Sequence, residues 1–183
     1  MSDIQIRFAK PEDAQTVHHL VVELAIFEKL VHEVVSTPDD IRRALTGPNP
    51  IVEVFLAETA GQPVGFALFF QTFSTFAGRP GLYLEDLFVL PDYRRRGAAM
   101  ALLQALFRVA RERNCARVEW SVLDWNEPAI KFYTEMLDAK ILQEWLRCRV
   151  ELGTPGFATP SELREASPGK QEASANERER LNE

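Results

Sequence analysis

Hydrophobic and polar positions change period several times along the chain, and each change marks an element. Ile4, Ile6 and Phe8 alternate with Gln5 and Arg7, the two-residue period of a half-buried strand. Pro11-Glu12-Asp13 then opens a helix, with proline and acids in its first turn. Val17, Leu20, Val21, Leu24, Ile26 and Phe27 continue it at helical spacing. A second helix is expected from Thr37-Pro38-Asp39-Asp40 to the Gly47-Pro48 breaker. Residues 51–58 and 64–73 read as strands joined by a Gly61-Gln62-Pro63 turn, and residues 82–90 read as a third. Residues 94–114 carry Leu102, Leu103, Leu106, Phe107, Val109 and Ala110 as a helical stripe. A strand at 116–123, a helix at 127–136 and strands near Lys140 and at 147–152 complete the series. Hairpins alternate with strand–helix–strand crossovers, so the order predicts an α+β fold with helices on both faces of a mixed central sheet.

Composition changes after Leu152. Residues 153–183 are rich in Pro, Ser, Ala and Glu and hold too little apolar surface to offset the entropy of ordering. The expected organisation is therefore one domain over 1–152 and a polar, disordered tail over 153–183, with a short helix near 161–166. No apolar run reaches the roughly 18 residues of a membrane helix. The first residues lack the basic-then-apolar pattern of a secretory signal, and the two cysteines lie far apart. Together these point to a cytoplasmic chain without a disulfide framework or a membrane role. The formal net charge of −6 argues against a phosphate-tracking nucleic-acid surface and suits a cationic substrate. No His, Cys, Asp and Glu spacing resembles a metal site.

The chemistry concentrates after the third strand. Leu84-Glu85-Asp86-Leu87-Phe88-Val89 places an acidic pair inside an apolar strand, and Arg94-Arg95-Arg96-Gly97-Ala98-Ala99 begins the next helix. The small residues there leave uncovered backbone N–H groups at the positive end of the helix, a setting suited to a pyrophosphate. In a regular strand Glu85 and Asp86 point to opposite faces, so one alone would enter a cleft unless a bulge reorients the pair.

Arg94, Gly97 and Ala99 occupy the three defining places of a phosphate loop that resembles Q/R-x-x-G-x-G/A of the GNAT acyltransferases. The block Trp125-Asn126-Glu127-Pro128-Ala129-Ile130-Lys131-Phe132-Tyr133 resembles the segment of that superfamily beside the pantetheine arm. With Tyr83-Leu84-Glu85-Asp86 and Glu23-Leu24-Ala25-Ile26-Phe27-Glu28, the chain is similar to the spermidine/spermine branch, which includes diamine and thialysine N-acetyltransferases. Over residues 4–152 the resemblance implies the GNAT fold and acetyl transfer from acetyl-CoA to a small amine, with no metal. It implies that Leu87, Phe88, Val89, Arg94, Arg95, Arg96, Gly97, Ala98, Ala99, Met100 and Asn126 hold the cofactor. Glu85 is implied as the base and Tyr133, which also borders the cofactor, as the acid that protonates the leaving thiolate. Phe27, Glu28, Glu85, Glu119, Trp120 and Ser121 are implied on the amine side, where carboxylates and aromatic rings suit an alkylammonium. A homodimer is implied as well. One departure stands out: Asp138 replaces the glycine usual after the Phe-Tyr helix. A protein-lysine or N-terminal acetyltransferase of the same fold and a non-catalytic coenzyme A-binding module remain alternatives.

Overall fold

The computed structural model describes residues 4–150, which divide into two compact units between Ile130 and Lys131. In the first unit, β1 (Ile4–Phe8) is followed by α1 (Ala14–Glu28), α2 (Pro38–Leu45), β2 (Glu53–Thr59), β3 (Gln62–Ser74) and β4 (Arg79–Val89). Then come α3 (Ala98–Glu112) and β5 (Val118–Trp120). The helix α4 (Glu127–Leu137) starts in the first unit and ends in the second. The sheet order is β1-β2-β3-β4-β5, antiparallel except for the final β4–β5 pair.

Strand alternation builds two apolar layers. Val54 and Leu56 of β2, Phe66 and Leu68 of β3 and Phe88 of β4 pack with Val17, Leu20 and Leu24 of α1. The intervening residues Phe55, Ala57, Ala67 and Phe69 are also buried, on the opposite face. There Phe55 packs against Phe8 in a tilted pair and stacks on Phe69, at centroid distances of 4.3 and 5.3 Å, and α3 covers this layer with Leu102, Leu103 and Leu106. Each such fully buried side chain contributes about 1.5–3 kcal/mol of transfer free energy. Gly65 allows the tight β3–β4 approach, since a Cβ there would lie 2.6 Å from the Phe88 carbonyl oxygen. At the start of α2, Thr37 and Asp40 satisfy each other's backbone N–H groups in a capping box, and Pro38 fills the first helical position.

The structure departs from the sequence expectations at several places, and the strand expected at 116–123 is reduced to Val118–Trp120. Pro11–Asp13 is a 3-10 turn and α1 begins at Ala14. The helix expected from residue 94 begins only at Ala98, because Arg95 (φ +59°) and Gly97 (φ +92°) are left-handed and break helical propagation. Residues 138–150 form neither the strand expected near Lys140 nor the described part of that at 147–152. The adjacent pairs Ile141-Leu142 and Trp145-Leu146, all exposed, break the alternation that would give a strand one apolar face. The expected boundary at Leu152, the tail 153–183 and its short helix lie outside the described residues.

Candidate active site

The site is organised by an irregularity in β4. Leu68 pairs with Asp86 and Phe69 with Leu84, which leaves Glu85 as the extra residue of a β-bulge. The parallel ladder with β5 runs through Leu82, Tyr83 and Leu84 and ends at Leu84 opposite Trp120. Beyond the bulge, β4 therefore carries Asp86, Leu87, Phe88 and Val89 past the last residue paired to β5. Backbone groups on that edge can pair with an extended amide chain, as the Leu87–Phe88–Val89 expectation requires.

Above this segment lies an aromatic cluster. Phe27 from the last turn of α1 stands 6.4 Å from Phe88 and 6.0 Å from Trp125. The Arg94 guanidinium lies 4.5 Å from the Phe27 centroid and 5.4 Å from that of Phe88, and its Nε donates to the Val89 carbonyl at 2.9 Å. Arg94 is thus fixed over the aromatic rings, and Arg96 lies over Tyr93 at 5.6 Å.

Carboxylates adjoin the cluster. Asp86 is half-buried and lies within the field of Glu85 and of Glu28, the residue after Phe27. Burial, then repulsion from Glu85 and Glu28, pushes the Asp86 carboxyl up to about 7. Burial also raises Glu28, whereas Glu85 is exposed. Sequence reasoning gave Asp86 no role of its own; the acidic pair was the signal, but which member turns inward depends on the bulge.

The phosphate-loop residues lead into α3. Gly97 caps that helix without a side-chain hydrogen bond, and its φ of +92° favours a residue lacking Cβ. Ala98 is buried, and the first turn of α3 has no acidic residue to compete with a bound anion.

Other expected residues are already engaged. Glu119 forms an ion pair with Arg117 at 2.7 Å, and the Ser121 and Tyr83 hydroxyls are 2.8 Å apart. Trp120 is half-buried opposite Leu84. Asn126 Oδ1 accepts from the Ala129 N–H at 3.3 Å, so this side chain caps the start of α4. Tyr133 belongs to the second unit, where its ring lies 5.5 Å from Phe132. Burial pushes its phenol up to about 12, which keeps the hydroxyl a proton donor at neutral pH. Among the described residues there is no metal-binding cluster and no helix long and apolar enough to cross a membrane.

A mixed sheet whose β4 runs on past its pairing with β5, followed by a glycine-capped helix, is the frame of an acyl-coenzyme A transferase. Residues 19–138 match the Acetyltransferase (GNAT) family, and the chain belongs to that family, in its diamine acetyltransferase branch. It is an acetyl-CoA-dependent acyltransferase. A thialysine N-epsilon-acetyltransferase of Caenorhabditis elegans is 37% identical over 133 residues, covering 73% of this chain and 81% of that protein. An L-ornithine N5-acetyltransferase of Arabidopsis thaliana is 31% identical over 191 residues, covering 80% and 83%. Among solved structures, an aminoglycoside N-acetyltransferase in complex with CoA superposes with a TM-score of 0.65 at 20% identity, covering 83% of this chain and 97% of that one, a likeness of fold.

Proposed function

We propose that the enzyme transfers acetyl to a primary amine of a small diamine, polyamine or lysine-like amino acid. The observation that carries this reading is the grouping of Glu28, Glu85 and Asp86 beside Phe27: three carboxylates and an aromatic face suit an alkylammonium. Thialysine and ornithine, named for the two curated relatives, are amines of this kind.

In this reading the start of α3, which has no side-chain cap, takes the pyrophosphate with Arg94, Arg95, Arg96, Gly97, Ala98, Ala99 and Met100. The edge of β4 at Leu87, Phe88 and Val89, beyond its pairing with β5, aligns the amide-bearing arm, with the Val89 carbonyl held by Arg94, and Asn126 borders it. Bound acetyl-CoA supplies a thioester carbonyl open to an uncharged amine. Glu85, directly or through a water, removes the ammonium proton, because only the neutral nitrogen has a lone pair to donate. Tyr133, neutral at pH 7, returns a proton to the departing sulfur. Glu119, Trp120 and Ser121 line the far side of the amine site. The homodimer and cytoplasmic setting implied by the resemblance belong to the same proposal; a monomer mass by light scattering at micromolar concentration would refute the dimer.

The test is thiol release from acetyl-CoA with ornithine, thialysine, lysine, putrescine, spermidine and a lysine-bearing peptide. Release with a small amine, reduced about 100-fold or more in Tyr133→Phe, is the expected outcome. Release with the peptide alone would replace the small-amine reading, and coenzyme A binding without turnover on any amine would favour a binding module.

A further inference from the structure

Strand register gathers a second set of polar groups on one face of the sheet. Asp86 pairs with Leu68 and Tyr83 with Phe70, two residues apart on β3, so Tyr83 and Asp86 share a face. Glu119 is the partner of Tyr83 in the parallel ladder, and Arg117 and Ser121 stand two residues to either side of it along the chain. Side-chain contacts join them: Arg117 Nε lies 2.7 Å from Glu119 Oε2, and the Tyr83 and Ser121 hydroxyls are 2.8 Å apart. Arg117 Nη1 also donates to the buried Ser74 hydroxyl at 2.9 Å, which pins the guanidinium at the end of β3. The two charged side chains nevertheless stay open to water, at 48% and 35% exposure.

Neither pair is saturated. A guanidinium has five N–H donors, more than the contacts with Glu119 and Ser74 use, and a carboxylate accepts at both oxygens. One proton bridges the two hydroxyls, and the other remains to be donated. We propose that this arrangement binds the α-amino-acid end of the substrate: the α-carboxylate on Arg117 and the Tyr83–Ser121 hydroxyls, the α-ammonium on Glu119. This rests on the small-amine reading above and narrows it to amino acids over diamines. An ion pair is the electrostatic complement of a zwitterion, whereas a diamine would turn a second cation toward Arg117. The spacing agrees. The two-residue step from Phe70 to Leu68 sets Tyr83 and Asp86 roughly 6–7 Å apart along the sheet. In ornithine or thialysine four or five bonds separate the terminal nitrogen from the α-carbon, an extended length of roughly 5–6.5 Å. A substrate with its α-carbon over Tyr83 therefore brings its other nitrogen to the acidic pair of the bulge. A lysine inside a peptide has neither free α group and gains nothing from this subsite.

The experiment compares kcat/KM for ornithine with that for putrescine, which is ornithine without its α-carboxylate, in wild type, Arg117→Met, Arg117→Lys and Glu119→Gln. Wild type is expected to favour ornithine by about tenfold or more and to place the acetyl group on the side-chain nitrogen, read by NMR of the product. Arg117→Met is expected to lower the ornithine-to-putrescine ratio about tenfold, through KM for ornithine rather than kcat, and Arg117→Lys to restore part of it. Glu119→Gln is expected to raise KM for ornithine several-fold. A half-exposed ion pair adds little to folding, and coenzyme A affinity by calorimetry shows that each variant is folded. A wild type that handles putrescine as well as ornithine overturns the subsite and leaves the small-amine reading standing. So does acetylation of the α-nitrogen, or an Arg117→Met that loses both substrates in proportion, as a purely structural residue would. Thiol release with no small amine at all overturns the underlying reading, and the subsite with it.

Discussion

Asp86 carries a destabilising charge whose size should depend on pH. Its carboxyl titrates near 7 in the folded chain and near 3.8 in an unfolded one, so the folded state binds the proton more tightly. Below about pH 3 both states are protonated and the residue is neutral in its effect. The penalty on the folded state grows as pH rises from about 4 to about 7 and is complete above that. Asp86→Asn should therefore be more stable than wild type by about 1–3 kcal/mol at pH 8 and unfold at a higher temperature there, with little difference near pH 3. Calorimetric scans at the two pH values check this, and a shift of equal size at both would contradict it. The sequence showed the acidic pair and the aromatic Phe27 beside Glu28. It did not show that Arg94 would stack on Phe27, because that contact joins residues far apart in the chain through side-chain packing.

At the scale of elements, left-handed residues set helix ends, and two of them bear on the site. Gly97 opens α3 at φ +92°, where its missing Cβ matters for conformation rather than for space: the nearest atom to an added Cβ is 4.0 Å away. Gly97→Ala is expected to cost about 1–2 kcal/mol in stability and to raise KM for acetyl-CoA more than it lowers kcat. Steady-state kinetics with varied acetyl-CoA distinguishes this from a general loss of activity. After α4, Asp138 adopts φ +53°, and the Ala139 N–H bonds the Tyr133 carbonyl at 3.1 Å. Aspartate tolerates this region better than most residues, which explains how it can stand where relatives in the resembling branch carry glycine. Asp138→Gly should stabilise the chain by about 0.5–1 kcal/mol, read as a modest rise in melting temperature. Strand positions in the β2–β4 meander were legible because short apolar runs such as Val54, Phe55, Leu56 and Ala57 are bounded by turn residues such as Gly61-Gln62-Pro63. The early start expected for α3 and the absent strands at 138–150 were not, since they depend on local backbone angles and on having a ladder partner.

At the scale of the molecule, the proposed amine substrate would meet a net negative charge. The sequence has a formal net charge of −6, and the proposed amine site adds Glu28, Glu85 and Asp86 at one place. Such a field speeds the encounter with a cation and is screened by salt. For a doubly charged amine, kcat/KM should fall several-fold between about 20 mM and about 300 mM KCl, with kcat nearly unchanged. A flat salt response would show that the acidic residues act only at contact. The family was legible from two motifs in the right order, and residues 19–138 match it. What the order of motifs left open was the division of labour inside the site.

The bulge in β4 also bears on how this enzyme can diverge. The strand must keep Leu82 and Leu84 in one layer and Asp86 and Phe88 in the other, and a single additional residue reconciles them. Point substitutions at position 85 leave that phase intact. Losing or gaining one residue between Leu84 and Asp86 would swap an acidic side chain with a core leucine. A substitution there alters chemistry without disturbing either layer, whereas a change in the length of the strand disturbs both.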